Sequence, residues 1–184
     1  KEGITNQDLY NEIVIEIDPG MAFGTGTHET TSLCVELLEK YSVDKENLLD
    51  IGCGSGILML IGKKMGINNV DGIDIDPNVK NVVIENMQRN HINENYNVII
   101  GNLVDDVDEK YDIIVSNILV DVLMQLLDTI ETVLKDGAII IFSGILKEKS
   151  EDFIKMAETH SFIEIERKEK NKWSAVAFKY EKDK

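Results

Sequence analysis

Two hydrophobic periods alternate along the chain. Ile13, Ile15 and Ile17 fall on one face of an alternating run, which predicts a short strand over Glu12–Ile17. A glycine-rich loop follows from Asp18 to Thr27. Leu33, Cys34, Leu37 and Leu38 then recur at helical spacing within Thr30–Tyr41. The strand predicted over Asn47–Ile51 is followed by a helix over Gly56–Met65, and the strand over Val70–Ile75 by a helix over Pro77–Asn90. Asn97–Ile100 and Tyr111–Ser116 are the third and fourth core strands. The fourth is apolar enough to be buried on both faces. Leu119, Val122, Leu123, Leu126, Leu127, Ile130 and Leu134 predict one long helical stripe. Ala138–Ser143 is a fifth strand, and Phe153, Met156 and Ala157 mark another helix. Phe162–Arg167 and Trp173–Tyr180 are two closing strands joined tightly at Glu169–Lys172.

This alternation predicts an α/β fold with a doubly wound, mostly parallel sheet. The closing hairpin adds one antiparallel strand at or near an edge. Ligands in such sheets sit beyond the carboxyl ends of the strands, where the strand order reverses. Gly52, Asp74, the Gly101–Asn102 turn and Asn117 all fall at such ends.

The run Asp50-Ile51-Gly52-Cys53-Gly54-Ser55-Gly56 is the richest in chemistry. Its glycines permit a tight turn that another group can approach closely. A dinucleotide fingerprint needs G-x-G-x-x-G, and Ile57 stands where its third glycine belongs. No G-K-[ST] tripeptide of a phosphate-binding loop exists in the chain. Asp50 beside the turn would repel a pyrophosphate and can orient a cationic amine. Asp74 lies 22 residues after Gly52, close to the spacing of the acidic residue that accepts hydrogen bonds from ribose hydroxyls. Together they describe an adenosine-type cofactor with an amino-acid end. A ligand-free βα turn and a solvated Asp74 are the bland alternatives. Asp76 and Pro77 read as helix N-cap and first helical position. Cys53 reads as small filler within the turn.

Composition narrows the setting. The chain has 184 residues, 43% hydrophobic and 29% charged, as expected of one globular domain. Its net charge of −15 argues against direct contact with nucleic acid and permits attraction of a basic partner. No apolar run is long enough to span a bilayer, so no membrane contact is expected. Two cysteines do not make a disulfide framework, which fits a cytoplasmic setting. No metal ligand set is expected. Residues 1–11 are polar and aperiodic and read as a linker remnant, leaving 12–182 as the folded domain.

Asp50–Gly56 and Gly72–Asp74 resemble the first two motifs of class I, Rossmann-like methyltransferases that use S-adenosyl-L-methionine. Asp18-Pro-Gly-Met-Ala-Phe-Gly-Thr-Gly-Thr-His-Glu-Thr-Thr31 and Ser116-Asn117-Ile118-Leu119 are similar to the PrmA-type methyltransferases of large-subunit ribosomal protein L-eleven. The resemblance runs from about Ile13 to Tyr180. It implies cofactor contacts at Thr31, Gly52, Asp74 and Asn117, with Asp50, Gly54 and Asn102 on the same rim. It places Phe23, Gly26, Thr27 and His28 in the loop over the methionine end. It also implies a basic ribosomal protein substrate recognised by an N-terminal domain. Nothing in this chain matches that domain, so the chain is expected to bind the cofactor but to methylate the ribosomal protein poorly.

The chemistry asks for alignment of an amine lone pair and exclusion of water. Asn117 is the candidate catalytic residue, because its carbonyl can accept an amine N–H. Capping the helix before Leu119 is its structural alternative, and both roles are compatible. Ile118 and Leu119 offer no aromatic wall for a flat substrate, which favours an aliphatic amine. His28 reads as an orienting or capping residue rather than a base. Another protein amine, a small molecule, or cofactor binding without catalysis are the alternatives, and an oxidoreductase is the least supported.

Overall fold

The structure is a computed structural model that describes residues 13–18 and 28–182. Seven strands form one sheet: β1 (Asn47–Ile51), β2 (Asn69–Asp74), β3 (Tyr96–Ile100), β4 (Tyr111–Asn117), β5 (Leu134–Leu146), β6 (Phe162–Lys170) and β7 (Trp173–Tyr180). Their order is β3-β2-β1-β4-β5-β7-β6. The first five are mutually parallel, and β7 runs antiparallel to both β5 and β6. The expected antiparallel strand therefore lies one place in from the edge. The order reverses between β1 and β4, which opens a crevice at their carboxyl ends.

Among the described residues, five helices cover the two faces: α1 (Glu29–Tyr41), α2 (Ile57–Lys64), α3 (Val79–Arg89), α4 (Val120–Leu127) and α5 (Lys147–Glu158). Leu33, Leu37 and Leu38 of α1, Met59 of α2 and Val83 and Met87 of α3 share one core with Leu48 and Ile113 of the sheet. Leu123, Leu126 and Leu127 of α4 and Phe153 of α5 share the other with Leu49, Ile51 and Phe142. Each such fully buried side chain stabilises the fold by about 1.5–3 kcal/mol, so these two stripes hold the sheet between its helices. Side chains alternate across a strand. Since Leu48 faces the α1–α3 side and Leu49 and Ile51 the other, Asp50 is carried into the α1–α3 layer.

Several expectations are corrected. Residues 13–18 do not join the sheet. The backbone N–H of Glu16 donates to Asn90 Oδ1 at 3.0 Å, Asn90 Nδ2 donates to the Glu16 carbonyl at 2.7 Å, and the Asp18 N–H donates to Asn86 Oδ1 at 3.2 Å. Carboxamides on α3 thus satisfy an extended segment that alternation alone assigned to a strand. Helix α3 begins at Val79, not Pro77. Asp76 Oδ1 accepts the Asn78 N–H at 2.9 Å, so Asp76 closes the turn before the helix.

The long stripe after Leu119 is not one helix. Helix α4 stops at Leu127, a 3-10 turn spans Ile130–Val133, and Leu134 opens β5. Ile130, Val133 and Leu134 are all buried in the same core. Apolar spacing reported their burial correctly but not their conformation. Strand β5 is also longer than expected, and its pairing with β7 shifts register between Phe142 and Ile145.

Candidate cofactor site

The β1–α2 turn is built on left-handed glycines, with φ of 76° at Gly52, 51° at Gly54 and 77° at Gly56. A Cβ at Gly52 would lie 2.3 Å from Ile118 Cγ2, and one at Gly56 would lie 2.9 Å from Val83 Cγ1. The turn is tied to the next strand. Gly52 and Cys53 donate their N–H groups to the Ile73 carbonyl at 2.8 and 3.2 Å. Asp74, the last residue of β2, closes the cradle: Oδ2 accepts the Gly54 N–H at 3.0 Å and Oδ1 accepts the Asp76 N–H at 3.0 Å. A carboxylate oxygen has more than one acceptor direction, so Asp74 retains capacity for further donors.

Asp50 is only 1% exposed, and neither carboxylate oxygen has a hydrogen-bond partner among the described residues. Burial, followed by the negative charge of Asp74, pushes its pKa up to about 8. The Met59 backbone N–H pulls the other way but does not reach hydrogen-bonding geometry. An unpaired buried carboxylate is costly, and a cation placed against it relieves that cost. Cys53 lies beside the same two acids. Burial and the charges of Asp50 and Asp74 raise its thiol pKa, which keeps it protonated and unreactive, as filler should be.

Across the crevice, Asn117 ends β4, and its Nδ2 donates to Thr31 Oγ1 in the first turn of α1 at 3.3 Å. The N-cap of α4 is Leu119, without a side-chain cap bond, so capping does not occupy Asn117. Thr31 is buried. His28 caps α1: its Nδ1 accepts the Thr30 N–H at 3.3 Å and pairs with Thr30 Oγ1 at 2.8 Å. That is the capping role expected of it. Asn102 stands exposed past the end of β3, where its Nδ2 donates to Asp105 Oδ2 at 3.2 Å. Phe23, Gly26 and Thr27 lie outside the described residues.

Three supporting contacts were not assigned from the sequence, although Ser116 stood in the Ser116-Asn117-Ile118-Leu119 motif. Ser116 Oγ donates to the Ile51 carbonyl at 2.8 Å and ties β4 to β1 at the crevice. Ser143 Oγ donates to the Thr30 carbonyl at 3.0 Å. Gly144, at φ 81°, lets the Ile118 carbonyl approach so closely that a Cβ there would lie 2.2 Å from it. The available signal was the Ser143-Gly144 pair interrupting the apolar run that begins at Ala138.

The Ribosomal protein L11 methyltransferase (PrmA) family model matches residues 4–181. The chain belongs to this family. It is 45% identical over 171 residues to the ribosomal protein L11 methyltransferase of Fusobacterium nucleatum subsp. nucleatum, covering 92% of this chain and 55% of that protein. It is 41% identical over 168 residues to the namesake of Clostridium perfringens strain SM101, covering 91% and 53%. The chain thus spans about half the length of the curated relatives it matches. Among solved structures, the ribosomal protein L11 methylase of Lactobacillus delbrueckii subsp. bulgaricus superposes with a TM-score of 0.83 at 31% identity, covering 91% of this chain and 85% of that one. The fold is therefore that of class I methyltransferases, whose cofactor is S-adenosyl-L-methionine. Among the described residues, no helix is long and apolar enough to cross a membrane.

Proposed function

We propose that this chain transfers methyl groups from S-adenosyl-L-methionine to amines of ribosomal protein L11, on lysine side chains, the α-amine or both, in the cytoplasm. The observation that carries the reading is the pair of carboxylates flanking the glycine turn. Among the described residues Asp50 is buried without a partner, and Asp74 is fixed by two backbone N–H groups. The charge of Asp74, with a buried carboxyl beside it that only a cation can hold ionised, disfavours a diphosphate and favours a ligand that carries positive charge and a ribose diol. The family and its relatives' names support the substrate.

In this reading Asp50 holds the cofactor's ammonium. Gly52 and Gly54 let it approach the backbone, and Asp74 accepts its ribose hydroxyls. Asn102 lines the same rim. Thr31, with Phe23, Gly26 and Thr27, encloses the methionine end. The bound cofactor supplies a methyl carbon on an already activated sulfonium leaving group. What remains for the protein is to orient an amine and exclude water. Asn117 does the first, since its Nδ2 is committed to Thr31 and its Oδ1 is left to accept an amine N–H. A free lysine has a pKa of ~10.4, so the amine must shed its proton before attack. An amide has no capacity to take that proton, so Asn117 aims the lone pair without acting as the base.

The test is transfer of labelled methyl groups to purified ribosomal protein L11. The full-length Fusobacterium nucleatum relative serves as a positive control. Label on L11 that falls to background in Asn117→Ala, with S-adenosylhomocysteine binding weakened but still measurable, is the expected outcome. Weaker labelling than by the full-length relative is expected too, because the rest of that protein's length is proposed to recognise the substrate. Equal labelling by Asn117→Ala and wild type overturns the role of Asn117. No label on L11 while the control labels it overturns the activity of this chain.

A further inference from the structure

The β6–β7 hairpin tip lies about 140 residues from the start of α1 in sequence and against it in space. Asn171, at φ 52°, turns the hairpin, and its Nδ2 donates to Glu29 Oε1. Lys170 Nζ donates to Ser32 Oγ at 3.1 Å. Trp173, the only tryptophan in the chain, meets the His28 ring edge-on, with centroids 5.5 Å apart and planes at 66°. On the other side the Lys172 carbonyl accepts the Lys147 N–H at 3.0 Å, anchoring the tip to the start of α5.

The clasped turn is the one that reaches the site. His28 Nδ1 accepts the Thr30 N–H, and the His28 carbonyl accepts those of Thr31 and Ser32 at 3.1 and 3.2 Å. Two of the four N–H groups that a helix start leaves unpaired, those of Thr30 and Thr31, thus depend on one residue, and the first intrahelical bond, from Ser32, ends on it as well. Thr31 in that turn receives the Asn117 amide. Lys170 and Asn171 are exposed, so water can replace the hydrogen bonds they make. An aromatic edge-to-face contact contributes more and fixes a direction.

We propose that Trp173 is a positioning residue. It holds the His28 ring, the ring and carbonyl of His28 hold the first turn of α1, and that turn presents Thr31 to Asn117 at the cofactor's methionine end. The last step rests on the cofactor reading above. The first two do not.

The test pairs two measurements on the whole chain. One is amide hydrogen exchange at Thr30, Thr31 and Ser32 without ligand. The other is calorimetric affinity for S-adenosylhomocysteine. Trp173→Ala and His28→Ala are each expected to speed exchange at these amides and to weaken binding about fivefold, the scale of a lost helix cap. The double variant should be no weaker than either single one, because both act through one contact. Trp173→Phe should restore most of the affinity. Unchanged exchange in Trp173→Ala, unchanged affinity despite faster exchange, or additive losses overturn the proposal. Should wild type fail to bind the ligand while the exchange pattern holds, the clasp stands and the cofactor reading falls. Should Trp173→Ala not fold, Asn171→Ala replaces it, with a smaller change in the same direction expected and no change overturning the proposal.

Discussion

Asn117 Nδ2 donates to Thr31 Oγ1 at 3.3 Å, joining the end of the fourth strand to the first turn of the first helix across the mouth of the crevice. The bond decides which end of the amide is free. With one amide N–H engaged there, the reading proposed above assigns Oδ1 to the incoming amine. Thr31→Val removes the acceptor while keeping shape, and a single such bond is worth about 0.5–1.5 kcal/mol. Methyl transfer is expected to fall by up to about tenfold. Thr31→Ser should retain the wild-type rate. Steady-state kinetics on both variants checks this.

Asp50 gives the protein a pH signature. Its pKa is pushed up to about 8 by burial and then by Asp74, against an ordinary value of ~3.9. Between those values the folded state keeps a proton that the unfolded chain has released, so this group makes stability fall as pH rises through that window. Asp50→Asn removes the effect. Above about pH 8 the ligand-free variant is expected to melt higher than wild type, and the two should converge toward pH ~4. Thermal melts across pH decide the matter, and parallel curves would contradict it.

If Asp50 holds the cofactor's ammonium, as proposed, the same proton links it to binding. An ammonium favours the ionised carboxylate, so binding would expel a proton below about pH 8. Affinity for S-adenosylhomocysteine is then expected to rise by up to about tenfold per pH unit between about pH 5 and 7. Asp50→Asn should bind weakly and lose that slope. Calorimetry in two buffers of different ionisation enthalpy counts the released proton directly.

Gly144 separates backbone freedom from close approach. An alanine there faces both a left-handed φ of 81° and the Ile118 carbonyl 2.2 Å from the new Cβ. At Gly137, φ is 73° but nothing lies within 4 Å of an added Cβ. Gly137→Ala is expected to cost about 1 kcal/mol, the conformational part alone. Gly144→Ala should cost about 2 kcal/mol or more and lower the melting temperature by on the order of 5 °C or more. Equal costs would show that the approach of Ile118 is relieved by easy movement.

The parallel core was legible because its apolar runs stop at polar or glycine positions, Gly52, Asp74, Gly101 and Asn117. Asn47–Ile51 and Trp173–Tyr180 match the structure at both ends. Misreadings came where burial and conformation part company. Ile130–Leu134 keep helical spacing but enter the core through a 3-10 turn and a strand. Ile13–Ile17 alternate, yet their backbone partners are carboxamides of α3. In the site, Asp50, Gly52 and Asp74 announced themselves by spacing within one βαβ unit. Ser143, Gly144 and Trp173 did not, because they meet Thr30, Ile118 and His28 from strands far along the chain.

Titration of the chain with S-adenosylhomocysteine, with NAD as competitor, tests the central claim most directly. The expected result is one site per chain, saturable and insensitive to NAD, that is lost in Asp74→Ala because Gly54 and the ribose lose their shared acceptor. Absence of binding, displacement by NAD, or full binding by Asp74→Ala would contradict the account of the cradle built on Asp50, the glycine turn and Asp74.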